Sequence, residues 1–335
     1  MANVAKKGTF ATYSGANLNE IFYEPVFRSD DIMRNYRVIP NVKEKMNVYT
    51  SAALTKIVDE YTGCATASGS TQFDIDEKTI TAGRMRVALE QCTDEFFGTY
   101  IEEMYRSGVD VMNVEGTQLS DAIVNRAVKG IGQDVVRLAW GGDDSTANYK
   151  GVTGWMKLMG DTTAVNNAKS TLTVVDPAAP TAAESINLIR KAYDAAPAAL
   201  QQVPAGDKKI FVTPKMFNAY LANLEGSSAD LAIVNTQDGL RTVSFRGVEL
   251  VPMYEWDTIL ADLNPTIMKS GTHEGTEGLC YCAVENLIIG SDVTDPQGSF
   301  KVFYDDLEEK MFFRGYFKLG VQFLYASLVQ WGMLK

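Results

Sequence analysis

"SDAIVNRAVKGIGQDVVRLAWGGDDSTANYKGVTGW", Ser120 to Trp155, decides how the chain is read. Ser120 is a helix N-cap residue, and Val124, Val128, Ile131, Val135 and Leu138 follow at steps of four and three, one apolar stripe. The spacing predicts a helix over residues 120–140, although Gly130 and Gly132 each cost helix stability. The stripe then runs into four glycines and two adjacent acids, Asp143 and Asp144. Such a loop is a phosphate cradle, a calcium loop or a connector.

The chemistry of each alternative separates them. A phosphate-binding loop ends in Lys-Ser/Thr and follows a strand, whereas this one lacks that ending and follows a helix. A calcium loop opening at Asp143 needs oxygen ligands at 145 and 147 and glycine at 148, where Ser145, Ala147 and Asn148 stand. The connector reading remains, with the loop returning the helix to a strand.

The rest of the chain offers little else for catalysis. His273 is the single histidine, in the polar stretch "KSGTHEGTEG" with Glu274 and Glu277, so a hydrolytic triad has one possible base and a zinc site lacks its usual set. Acid pairs occur at Asp74 and Asp76, Asp143 and Asp144, Glu102 and Glu103, Asp305 and Asp306, and Glu308 and Glu309. A hairpin turn or an exposed helix face solvates such pairs. Cys64, Cys92, Cys280 and Cys282 contain no CxxC, and neighbours two apart on a strand bridge poorly, which predicts free thiols in a reducing compartment. No catalytic, cofactor-binding or metal-binding residue is assigned, and no cofactor is expected.

A chain of 335 residues with net charge −11 is long enough for one elaborate or two intertwined cores. Its lysines and arginines are scattered along the sequence, which predicts no basic face for gripping nucleic acid. "MANVAKKGTFATYSG" has no apolar core behind its lysines, and no apolar run approaches the roughly 18 residues of a membrane span, so a soluble cytoplasmic product without membrane contact is expected.

Working outward, residues 1–40 carry Phe10, Tyr13, Phe22, Tyr23 and Phe27 without helical or strand period, as an arm laid on its own domain or on a neighbour. Deleting residues 1–35 is therefore expected to leave a folded subunit that no longer assembles. Residues 42–90 read as a long hairpin with a small-residue middle, projecting from the body because Asp74, Asp76, Arg84 and Arg86 alternate with apolar residues. "CTDEFFGTYIEEMYRSG" (92–108) reads as a helix. Ile186, Ile189, Tyr193 and Ala196 share a helical face before Pro197. "KKIFVTPKMFNAYLANLEG" (208–226) reads as strand, Thr213 cap, Pro214 at the first helical position, Phe217, Leu221 and Leu224 inward, and Gly226 at the end. "FRGVELVPM" and "LCYCAVENLIIGSDV" are strands. "SFKVFYDDLEEKMFFRGYFKLGVQFLYASLVQW" (299–331) is a hairpin turning at Asp305 to Glu309, with Phe313, Phe317, Leu319, Val321, Phe323 and Tyr325 alternating against Arg314, Lys318 and Gln322.

The order of these parts resembles the major capsid proteins of tailed bacteriophages, of the Hong Kong 97 type. The helix running into "GGDDSTANYKGVTGW", the stretch "KKIFVTPKMFNAYLANLEG", "FRGVELVPM" and the closing hairpin carry the resemblance over residues 120–331. It implies an α+β fold of the Hong Kong 97 kind: an N-terminal arm at 1–41, an extended loop at 42–90, a peripheral domain at 91–179 and 299–325 with a spine helix at 120–140, and an axial domain at 180–298 and 326–335. It further implies pentamers and hexamers of many copies tiling an icosahedral head around double-stranded DNA that lies nearby without specific binding, assembled in the host bacterial cytoplasm into a virion. Separate scaffolding, portal and decoration proteins are the other partners it suggests. Some members cross-link lysine to asparagine; Lys56 and Lys78 lie in the extended loop, but nothing in the sequence identifies a partner. Two alternatives stand beside it, an encapsulin-like compartment of the same fold and a soluble enzyme with an acidic pocket.

Overall fold

Among the described residues a six-stranded sheet, a seven-stranded sheet, a separate two-stranded hairpin and the helices packed on them make a mixed α+β fold. The structure, a computed structural model, describes residues 11–13, 30–51, 75–92, 118–144, 149–162, 165–169, 181–226, 233–235, 241–263, 277–292, 300–305 and 310–333. In chain order these form β1 (Ala11–Tyr13), α1 (Asp30–Asn35), β2 (Arg37–Ile39), β3 (Lys45–Ser51), β4 (Ile75–Thr81), β5 (Gly83–Cys92), α2 (Gln118–Gly141), α3 (Trp155–Asp161) and β6 (Asn166–Lys169). Then come α4 (Ala182–Asp194), α5 (Ala198–Gln202), β7 (Lys208–Val212), α6 (Pro214–Gly226), β8 (Ile233–Asn235), β9 (Arg241–Phe245), β10 (Val248–Pro252) and α7 (Glu255–Leu263). The chain closes with β11 (Gly278–Ala283), β12 (Leu287–Ser291), β13 (Phe300–Asp305), β14 (Lys310–Phe323) and β15 (Val329–Met333). Of the helix read in 92–108, Cys92 closes β5 instead and the remainder, with His273 and the turn acids Asp306, Glu308 and Glu309, lies outside the described residues.

β14 is the spine of the first sheet, ordered β1-β13-β14-β12-β2, with β5 also paired to β14. Its alternation decides its packing: Phe313, Phe317, Leu319, Val321 and Phe323 are buried in one core with Val128, Ile131 and Val135 of α2 and Trp155 and Met159 of α3. Residues 83–92 do not project, as the hairpin reading had them. They form β5, paired from Gly83↔Leu319 to Cys92↔Lys310, because Met85 gains a buried place beside Phe317 that a projecting strand could not offer. The hairpin proper is β3–β4, with Lys45 opposite Thr81 and Ser51 opposite Ile75.

The second sheet runs β6-β15-β11-β7-β10-β9-β8. α6 carries the chain from β7 to the β8–β9–β10 strands, so that β10 pairs parallel to β7. Pro214, Met216, Tyr220 and Leu224 of α6 are buried, while Phe217 and Leu221 are only partly covered. The same offset occurs in α4, where Ser185, Leu188, Ile189 and Ala192 are buried and Ile186 and Tyr193 half-buried. Small Ser185 and Ala192 let the helix sit close to the sheet, so bulk alone misjudges the phase. Thr181 and Glu184 close α4 with a capping box: Thr181 N–H donates to Glu184 Oε2 at 2.7 Å and Glu184 N–H donates to Thr181 Oγ1 at 3.3 Å.

A division at residues 180 and 298 would cut both sheets. β6 hydrogen-bonds to β15 in the second sheet, and β12 lies in the first, paired to β14 and β2. The chain crosses between sheets at 284–286 and again at 324–328. Such partners are long-range, which is why composition along the chain does not mark the boundary.

All four tryptophans gather where the sheets meet. Trp140 at the end of α2 lies 5.0 Å from Trp155 and 4.8 Å from Trp256, which in turn lies 5.7 Å from Trp331. Into this cluster α1 delivers Tyr36, whose ring stacks on Trp155 at 5.0 Å and on Phe211 at 5.9 Å, and whose hydroxyl accepts from Trp140 Nε1 at 2.9 Å. Ile32, Tyr36 and Val42 are buried. The sequence left open whether the N-terminal segment covers its own domain or a neighbour; for these residues it is their own, and a deletion reaching residue 35 removes part of the core.

Candidate functional site

The loop after α2 is built by backbones in contact. Gly154 N–H donates to Gly142 O at 2.8 Å and Asp143 N–H donates to Tyr149 O at 2.9 Å. A Cβ on Gly142 would stand 2.3 Å from Val152 O, and one on Gly154 2.5 Å from Trp140 O, so both positions require glycine. Gly151, at φ +103°, has its carbonyl oxygen 1.7 Å from where a Cβ on Gly83 would be. The loop is therefore pressed against the start of β5.

Both acids are consumed in holding that loop. The buried Asp143 carboxylate takes the ammonium of Lys157 on α3, and Asp144 Oδ1 accepts from Gly151 N–H at 2.9 Å. The hydrogen bond to Asp143 pushes the Lys157 pKa up. Tyr149 donates to Asp262 Oδ2 of α7 at 2.8 Å, and burial with that bond pushes its pKa up to about 12. Among the described residues no group of three or more His, Cys, Asp or Glu could hold a metal ion. Gly141 to Trp155 is thus a connector, but it leads into helix α3 and not into a strand, because Trp155, Met156 and Met159 at helical spacing fill the core under β14.

The β3–β4 hairpin is fastened at its root. Lys78 Nζ donates to Phe323 O at 3.1 Å and sits 4.1 Å above the Phe323 ring, Gln322 Nε2 donates to Thr79 O at 3.1 Å, and burial lowers the Lys78 pKa. Ile80 packs with Val42 and Ile288. Toward its other end the hairpin leaves Tyr49 67% and Ile75 66% exposed, with Asp76 and Glu77 exposed beside them. Asp74 lies outside the described residues.

Pairing of β5 with β14 also makes a basic face that the scattered sequence positions conceal. Arg84 stands opposite Lys318, Arg86 opposite Tyr316 and Ala88 opposite Arg314, all on the face of the sheet turned away from Phe313 and Phe317. The Arg84 guanidinium lies 5.5 Å from the Tyr316 ring, and that of Arg314 5.0 Å from Phe312 and 5.6 Å from Phe303. The expectation of no basic face is thereby corrected: strands far apart in sequence supply it.

The fold built this way is known from solved structures. A chain of the capsid structure of cyanophage P-SCSP1u superposes with a TM-score of 0.55 at 11% identity, over 90% of this chain and 87% of that one. A chain of the satellite phage P4 procapsid that includes the size determination (Sid) protein gives 0.55 at 12%, over 99% and 94%. A chain of the capsid of Myoviridae phage XM1 gives 0.52 at 9%, over 91% and 92%. The chain has the fold of phage capsid chains. No protein-family model and no curated protein sequence matches it. Among the described residues no helix is long and apolar enough to cross a membrane.

Proposed function

We propose that the chain is a major capsid protein of the Hong Kong 97 type, forming pentamers and hexamers that close into an icosahedral phage head around double-stranded DNA. The observation that carries this is coverage: the likeness to capsid chains extends over 90% or more of this chain and 87% or more of each of those, so it concerns the whole architecture and not one shared motif. The residues support it as well. The acids of the Gly141 to Trp155 loop are spent on structure, which speaks for a role in assembly and against catalysis.

Within this reading the lobes follow the sheets. The peripheral lobe takes α2, α3 and the β14 sheet, the axial lobe takes β6 to β11 with β15, and the extended loop contains the β3–β4 hairpin. Association is driven by burial of apolar surface at many contacts, each weak alone. Electron microscopy and light scattering of the purified chain test it: closed shells, tubes or rosettes support a coat subunit, and a monomer that persists under crowding and with its native co-expressed partners sinks it. Nuclease-protected DNA in native particles separates a phage head from an encapsulin-like compartment.

A further inference from the structure

Among the described residues, the two large sheets keep their edge strands short with one exception. β6 and β8 bound the seven-stranded sheet with four and three residues, and β1 and β2 bound the other with three each. Such short edges offer another strand little to pair with. β5 departs from this. It pairs with β14 alone, over ten residues, in a register that runs one-to-one from Gly83 to Cys92 without a bulge, and it contains no proline. No residue from Arg84 to Glu90 bonds to any other described strand, so alternate N–H and C=O groups along its outer side stand open.

The side chains along that edge match a second β5. Leu89 is 50% exposed on the face that Met85 and Val87 turn to the core. On the opposite face Arg84, Arg86 and Glu90 are exposed; Arg84 has no ion pair, and Glu90 reaches Lys310 of the same chain at 3.7 Å, with both side chains partly in water. Two copies of one open edge related by a two-fold axis pair only with the axis through a residue, because residues must be alike in orientation to exchange both N–H···O bonds. An axis through Arg86 sets two arginines face to face, which repel. One through Ala88 sets Arg86 against Glu90 but Met85 against the polar Gln91. One through Val87 sets Arg84 against Glu90 at both ends of the contact, Met85 against Leu89 and Val87 against itself, so opposite charges meet and the exposed Leu89 is covered.

We infer that β5 pairs antiparallel with β5 of a second copy about a two-fold axis through Val87, joining two six-stranded sheets into one. The inference rests on the coat-subunit reading and adds to it an isologous contact that links copies in pairs. It uses the body of the sheet and leaves the β3–β4 hairpin out of the contact.

Directly opposed residues of antiparallel strands have Cα atoms about 4.5 to 5.5 Å apart, within reach of a disulfide, whereas Ala88 and its own copy, offset by two positions, lie beyond it. The full chain carrying Val87→Cys is therefore expected to form a covalent dimer under mild oxidation on a non-reducing gel, and Ala88→Cys no more dimer than the parent with its native cysteines. Arg84→Glu and Glu90→Arg, with circular dichroism as the folding control, are each expected to lose about tenfold of the associated fraction in sedimentation, and the double variant Arg84→Glu/Glu90→Arg to regain it. Shells of Val87→Cys without the cross-link overturn the inference and leave the coat reading standing, as does a folded double variant that stays unassociated. A cross-link in Ala88→Cys in place of Val87→Cys overturns the register. A cross-linked pair that never builds a shell upholds the contact and overturns the coat reading; a parent that stays a monomer, with no cross-link in Val87→Cys, overturns both.

Discussion

Asn286 and Tyr325 clasp each other where the chain passes between the two sheets. Asn286 Nδ2 donates to Tyr325 O at 3.0 Å, and its Oδ1 accepts from Tyr325 N–H at 2.7 Å and from Leu324 N–H at 3.1 Å. One buried side chain thus bonds three backbone groups at the crossover, and Leu324 N–H also donates to Asn286 O at 3.1 Å.

Replacing Asn286 by Ala is expected to lower stability by about 2 kcal/mol, because the part-buried Tyr325 N–H and C=O lose their partner while Leu324 N–H keeps Asn286 O. Urea unfolding measures it. A loss under about 1 kcal/mol would mean that the crossover relaxes freely.

The Asp143–Lys157 pair is asymmetric: the Asp143 side chain is 4% exposed and that of Lys157 31%. Lys157→Met leaves a buried carboxylate without its cation and is expected to cost about 3 kcal/mol, whereas Asp143→Asn leaves an ammonium that reaches water and costs about 1. Thermal melts of both variants decide it; equal losses would show that the carboxylate is solvated through the loop.

Glu277 is buried beside Lys215, 3.2 Å away, and burial raises its pKa above the ordinary 4.5. A raised folded pKa means that the protonated acid is the form that suits the fold: its favourable contribution is complete below pH 4.5 and is lost as pH rises through the folded value. Glu277→Gln is therefore expected to raise the melting temperature at pH 7 and to give no gain at pH 4. A gain that is the same at both pH values refutes the linkage.

Gly130 sits inside α2 with nothing within 4 Å of where a Cβ would be. Gly130→Ala is expected to stabilise by about 1 kcal/mol through helix propensity alone. Gly142→Ala, by contrast, drives a methyl into Val152 O and is expected to destabilise. Chemical unfolding of the pair compares an open glycine with an enclosed one.

Truncation distinguishes covering from core in the N-terminal segment. Tyr36→Ala is expected to cost about 4 kcal/mol, the loss of a large buried aromatic and of its bond to Trp140. Removal of residues 1–29 leaves Ile32 and Tyr36 in place and is expected to keep the subunit folded. Circular dichroism of both proteins tests it.

Local periodicity by itself determined much of this protein. The steps of four and three from Val124 to Leu138 fixed α2, the Thr213-Pro214 start and Gly226 end fixed α6, and the alternation from Phe313 to Phe323 fixed β14, because each pattern is a property of consecutive residues. It also excluded the phosphate and calcium readings of the Asp143–Asp144 loop, whose ligand chemistry depends on spacing alone. Tertiary structure decided the rest. Only packing turned residues 155–161 into a helix, took β5 out of the hairpin, joined β6 to β15 and β12 to β14 and gathered four tryptophans around Tyr36. Arg84 and Lys318 are far apart in sequence and face to face in the sheet, and no composition reports that, because strand pairing is set by which distant surfaces bury each other's apolar sides.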